Sequence, residues 1–111
     1  IVDVFGGPES IRPSTDARSF SDFTYLWEQA SFNPLTSEIV CYIHFKFPNG
    51  STMRQAFTYD WRMWSIPELR ELLQEAGFAE TAVYFESEEG LIGDMDVVNL
   101  DAWVAYIAAL R

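Results

Sequence analysis

The sequence predicts an α+β fold: a three-stranded antiparallel meander, one capped helix, and short strands toward either end of the chain. Three observations carry this. Residues 38–47 and 52–61 alternate apolar and polar side chains on either side of an Asn49-Gly50 turn dipeptide, the pattern of a half-buried hairpin. Ser65 and Glu68 form the S-x-x-E capping box that opens a helix. Short β-prone runs, IVDVF at 1–5 and TAVYFE at 81–86, are too short for helices and are bounded by glycine or polar residues.

Taken in order, residues 1–5 read as a strand stopped by Gly6-Gly7-Pro8. An apolar strand with no lead-in and no initiator Met is expected of the tail of a longer protein. Residues 9–22, polar and containing Pro13, read as a loop. Residues 23–32 (FTYLWEQASF) read as the first meander strand, linked through Asn33-Pro34 to the second at 38–47. There Ile39, Cys41, Ile43, Phe45 and Phe47 share one face, with Val40, Tyr42, His44 and Lys46 on the other. In the third strand Met53, Gln55, Phe57, Tyr59 and Trp61 fall on one side.

The helix is predicted over 65–77. Pro67 suits its first turn, Trp64 and Leu69 suit a hydrophobic staple, and Gly77 suits the left-handed position that ends it, with Phe78 folding back. Leu69, Leu72, Leu73 and Ala76 form the inward stripe, leaving Arg70, Glu71, Gln74 and Glu75 to water. Residues 81–86 follow as a strand, and an acidic, glycine-containing loop leads to residues 102–110 (AWVAYIAAL). Its alanines favour helix and its Trp, Val, Tyr and Ile favour strand, so the residues leave that segment open.

Composition excludes several classes. Seven basic residues stand against seventeen acidic ones, a formal net charge of −10, so no Lys/Arg stripe exists to neutralise a phosphate backbone and no nucleic-acid partner is expected. The run from Glu80 to Asp101 holds Glu86, Glu88, Glu89, Asp94 and Asp96 without a base. It reads as a solvated loop, and the spacing does not match a calcium loop, so no metal is expected. Cys41 is the sole cysteine, which rules out an internal disulfide and fits a reducing cytoplasm. No signal peptide or membrane-length apolar run is present, and no membrane partner is expected.

Chemistry has few places to reside. His44 is the one histidine; it is either a satisfied sheet residue or a candidate base, and Cys41 lies on the opposite strand face, which excludes a direct Cys–His pair. The run Tyr59-Asp60-Trp61-Arg62-Met63-Trp64 sits at a strand-to-helix junction, where a rigid base can hold functional side chains. Arg62 can fork onto a carboxylate or phosphate with Tyr59 or Trp61 stacked beside it; equally, the tryptophans can be core and Arg62 can pair with Asp60 or Glu28. Trp27, His44, Tyr59, Trp61 and Arg62 are the candidate substrate-binding residues.

The phrase PELRELLQEAGF at 67–78, followed by a short strand, resembles the C-terminal part of class I S-adenosylmethionine-dependent methyltransferases, whose late helix has the form pELrelLeeAGF. IVDVFGG looks like that family's fifth strand, and 81–86 like its sixth. The resemblance implies an antiparallel seventh strand at 103–110, inserted between these two, and makes 23–61 a substrate-covering insertion of the small-molecule members. The implied fold is an α+β fragment of an α/β methyltransferase, one C-terminal segment carrying the late strands of a Rossmann-like sheet. The implied activity is methyl transfer from S-adenosylmethionine to a small acceptor. The family's cofactor-binding motifs would lie upstream of Ile1, so no cofactor-binding residue carries over, and the segment alone should be inactive. Self-association through an exposed sheet edge or apolar face is expected. The same residues also suit a non-catalytic module that binds a ligand or a protein.

Overall fold

A computed structural model of the chain describes residues 1–87, 90–93 and 100–111. They form two compact units, one of Ile1–Ser10 with Trp64–Arg111 and the other of Ile11–Met63. Strands hold 59% of the described residues and helix 14%. Both sheets are four-stranded, and every strand pairing in them is antiparallel. This corrects the expected fold class. The architecture is mostly β, with one helix, and is not the Rossmann-like α/β sheet that the resemblance implied. A parallel sheet needs crossover helices between neighbouring strands; here neighbours join by hairpins or pair antiparallel, with one α-helix among the described residues.

In the first unit, β1 (Val2–Gly6), β8 (Trp103–Leu110), β6 (Glu80–Ser87) and β7 (Gly90–Gly93) lie in that order. Residues 102–110, open between helix and strand by composition, thus supply β8, antiparallel to both β1 and β6 and lying between them. Its alanines fit because Ala105 is completely buried, where a larger side chain would not pack. Val83, Phe85, Ala105 and Ile107 form the core of this unit, joined by Val4, Trp103 and Ile92 from the strands and by Ile66, Leu69 and Leu73 from the helix. Phe85 and Trp103 meet edge to face at 5.6 Å. Gly90–Gly93, expected to be loop, is a strand because its backbone pairs with β6, for which its side chains give little sign.

The helix α1 (Ile66–Glu75) starts where the capping box put it. The Glu68 amide donates to Ser65 Oγ at 3.2 Å, and the Ser65 amide donates to Glu68 Oε1 at 3.0 Å. At its other end the Gly77 amide donates to the Gln74 carbonyl at 3.0 Å and the Phe78 amide to the Leu73 carbonyl at 3.1 Å, with Gly77 at φ +103°. That pair of bonds is a Schellman cap, which needs the left-handed residue that glycine supplies cheaply. The inward stripe differs from expectation: Leu72 is exposed, and Ile66, Leu69 and Leu73 make the contact. Arg70 does not simply face water; its Nε donates to Thr81 Oγ1 at 2.8 Å, tying α1 to β6.

The second unit is the meander with an added strand, in the order β2 (Ser14–Ser19), β3 (Thr24–Asn33), β4 (Glu38–Lys46) and β5 (Thr52–Arg62). Residues 9–22, expected to be a loop, instead supply a 3₁₀ turn at Pro8–Ile11 and the edge strand β2. All six β2 residues are exposed, so backbone pairing with β3 makes this strand without leaving an apolar alternation. The Asn49-Gly50 hairpin forms as expected, with Gly50 at φ +86° and its amide donating to the Phe47 carbonyl.

The third meander strand does not keep its alternation. Ile43 pairs with Phe57 and Phe45 with Met53, so His44 stands opposite three residues, Arg54, Gln55 and Ala56. Two extra residues make a bulge, with Gln55 in the left-handed region at φ +50°. Because the excess is even, Met53 and Phe57 stay on the same face. Only Gln55 leaves the pattern.

Candidate functional site

The aromatic residues of the second unit converge on one sheet face. In β3, Tyr25 and Trp27 alternate onto it and Phe23 precedes them; cross-strand pairing sets Tyr25 opposite Phe45 and Trp27 opposite Ile43. The rings form two clusters on this face. Phe20 meets Phe23 at 5.1 Å, and Phe23 and Tyr25 meet the edge of Phe45 at 5.5 and 6.1 Å. Trp27 lies 5.9 Å from Tyr59, which lies 4.4 Å from Trp61. Beneath the rings Ile39 and Cys41 are sealed from water.

Along one end of this face runs a groove of about 540 Å³, lined by Asp16, Arg18, Phe20, Phe23, Tyr25, Trp27 and Phe45. The edge strand supplies the charges, since Asp16 pairs with Trp27 and Arg18 with Tyr25 across β2 and β3. Trp27 is steered by its indole N–H, which donates to Gln29 Oε1 at 3.3 Å, while Gln29 Nε2 donates to the Arg12 carbonyl at 2.8 Å. Burial pushes the Tyr25 phenol above its ordinary range. Tyr59 and Asp16 push the same way and Arg18 opposes them. Tyr25 therefore keeps its proton at neutral pH and can donate a hydrogen bond into the groove.

The expected site residues divide between the two faces. Trp27, Tyr59 and Trp61 share the aromatic face, but of the expected set only Trp27 lines the groove. His44 and Arg62 lie on the opposite face, in register with Leu26 and Glu38. His44 has both ring nitrogens occupied: Nε2 lies 2.8 Å from Glu28 Oε1, and Nδ1 accepts from the Gln55 amide at 2.8 Å. A base needs a lone pair facing its substrate, and this arrangement presents none. Arg62, paired with Glu38 in register, is not brought to the groove, and Glu28 is engaged with His44.

Asp16, Arg18, Phe20, Phe23, Tyr25 and Phe45 complete the groove and were not among the expected site residues. The Phe23-x-Tyr25-x-Trp27 alternation was a usable signal for three of its rings, since side chains two apart share a strand face. Asp16 and Arg18 had none, because they sit in a segment without strand patterning. Cys41 is fully buried on the aromatic face, and burial pushes its thiol above the ordinary range, the opposite of what a nucleophile needs. Among the described residues no group of three or more His, Cys, Asp or Glu is placed to hold a metal ion. Of the acidic run, Glu88, Glu89, Asp94 and Asp96 lie outside the described residues. Among the described residues no helix is long and apolar enough to cross a membrane.

Comparison with known protein families, curated proteins and solved structures finds no match to this chain.

Proposed function

We propose that this chain forms the acceptor-binding side of an S-adenosylmethionine-dependent methyltransferase acting on a small molecule, and that the groove on β2, β3 and β4 receives the acceptor. The observation that carries the reading is the ring-lined groove. Methyl transfer from an already activated sulfonium needs a nucleophile held in line and kept dry, and flat apolar walls do both. The methyltransferase-like phrase 67–78 supports the choice of reaction. Cytoplasmic placement belongs to the same reading and rests on the lone, buried Cys41.

S-adenosylmethionine supplies the methyl group in this reading, but the described residues do not fit its binding. The helix that leads into β6 starts at a serine cap, where the Glu68 amide donates to Ser65 Oγ and the Ser65 amide to Glu68 Oε1, without a glycine-rich turn to cradle the cofactor. The chain's own tasks are to bind and orient the acceptor and to exclude water. Trp27 stacks on it, Phe23 and Phe45 wall it, and Tyr25 or Arg18 can bond its polar end.

The test uses the protein that contains this chain. Trp27→Ala is expected to raise the acceptor KM about tenfold or more while the KM for S-adenosylmethionine holds steady. Arg62→Ala, on the other face, is expected to leave the acceptor KM alone. No methyl transfer to any small acceptor, or an acceptor KM indifferent to Trp27, sinks the proposal.

A second reading, a non-catalytic binding module, is favoured by one observation: Ile11–Met63 is a compact unit with its own groove. Light scattering on the chain alone separates the two. Self-association through exposed apolar surface is expected from the methyltransferase reading, whereas a clean monomer with a sharp melt supports the module.

A further inference from the structure

We infer that His44 is a proton-operated clamp on the bulge of β5, and that adding a second proton to its ring releases the backbone which sets Met53 and Phe57 beside Phe45. The inference stands on the second sheet alone and does not depend on which reaction, if any, the groove serves.

The starting point is the Gln55 amide. Where β5 bulges, this N–H leaves the ladder and takes a side-chain acceptor in place of a backbone carbonyl. It finds His44 Nδ1 at 2.8 Å. A backbone amide can only donate, so Nδ1 must offer its lone pair and carry no proton. The ring proton of neutral His44 is then on Nε2, which donates to Glu28 Oε1 at 2.8 Å. The tautomer is thus dictated by an invariable donor on one side and a carboxylate on the other. His44 itself is buried at 9% exposure, while the Glu28 side chain is 37% exposed.

A second proton has one place to go, Nδ1. There it would confront the Gln55 N–H donor to donor, and the bond is lost. Gln55 is held at φ +50°, a conformation that costs energy for a residue with a Cβ, so losing its acceptor removes what holds the bulge in place. The bulge separates the Ile43–Phe57 pair from the Phe45–Met53 pair, and Phe57 meets Phe45 edge to face at 6.5 Å. Phe45 is a groove wall, so relaxing the bulge reaches the groove.

Several titratable or charged groups bear on this ring. From β3, the Glu28 carboxylate meets Nε2, while the register partner Leu26 is neutral. From β4, Tyr42 lies 6.0 Å away ring to ring and Lys46 shares the face. From β5, Arg54 stands within the bulge and Asp60 lies further along the same face.

The experiment is nitrogen-15 NMR on the intact chain. At about pH 8 the His44 ring is expected to show a protonated Nε2 and a bare Nδ1. As pH falls toward about 5, protection of the Gln55 amide from exchange, normalised for the intrinsic pH dependence, is expected to drop roughly tenfold in step with His44 titration. Val83 and Ile107 amides in the other unit act as controls and hold steady. His44→Asn, whose amide oxygen can replace Nδ1 as acceptor, should keep the Gln55 amide protected and abolish the pH dependence. A proton on Nδ1 at neutral pH, or Gln55 protection indifferent to His44 titration, overturns the inference. The wild-type spectra decide it even if the variant does not fold.

Discussion

The two sheets differ in how they dispose of apolar surface. The first, β1-β8-β6-β7, has α1 against one face, and that face is closed: Val83, Phe85, Ala105 and Ile107 are almost or wholly buried, with Trp103 packed on Phe85. The second, β2-β3-β4-β5, has no helix within its own unit, and its apolar face is built from large rings. Phe57 and Trp61 remain 53% and 42% exposed, while Ile39 and Cys41 beneath them are sealed. A helix covers the apolar face of the first sheet, whereas rings on the second keep part of their surface open. The first arrangement gives a scaffold, and the second leaves a surface able to accept a flat ligand.

Substitutions can break or sharpen this contrast. The largest loss is expected from Ile107→Ala, which empties a fully buried position under α1 and should cost about 2–5 kcal/mol in denaturant unfolding. A cost below about 1 kcal/mol would mean that the first sheet is not the better packed one. Gly7→Ala comes next. Gly7 sits at φ +97°, and a Cβ there would stand 2.3 Å from the Asp101 carbonyl oxygen, so backbone must shift; roughly 1–3 kcal/mol is expected from the melting curve. Ser65→Ala removes one half of the capping box and should cost about 1 kcal/mol, read as a fall in the denaturant midpoint.

Phe57→Ala on the open face should lower stability by less than about 1 kcal/mol by the same measurement. A loss as large as that of Ile107→Ala would show that the exposed rings carry the fold rather than a binding surface.

The smallest effect concerns pH. The folded Cys41 thiol is raised by burial, so folding favours its neutral form. Its contribution is complete below the ordinary thiol range and disappears as pH rises through the folded value. Wild type should therefore lose stability relative to Cys41→Ala as pH rises above the ordinary thiol value of about 8.5, and parallel profiles would contradict the assignment.

The helix was the most legible element, because its signals are local: Ser65, Glu68, Pro67 and Gly77 each act on backbone groups within a few residues. Strands β3, β4 and β5 were legible because one face is apolar, which imposes alternation. The edge strand β2 was not, since all its side chains face water and only its partner makes it a strand. The site was partly legible. Trp27 lines the groove, and Tyr59 and Trp61 continue its aromatic face, but His44 and Arg62 lie on the opposite face, as the alternation within their own strands already required.

By itself, then, the sequence determined the helix and its two caps, the hairpin at Asn49-Gly50, and the aromatic stripe of β3, all matters of neighbours in the chain. The tertiary structure decided that the first sheet is antiparallel throughout, that residues 102–110 are the strand β8, that α1 covers the first sheet, and that Gln55 leaves the ladder to meet His44. Those outcomes depend on pairings between distant segments, and strand register, which chooses the face each side chain occupies, arises only when the partner strand is present.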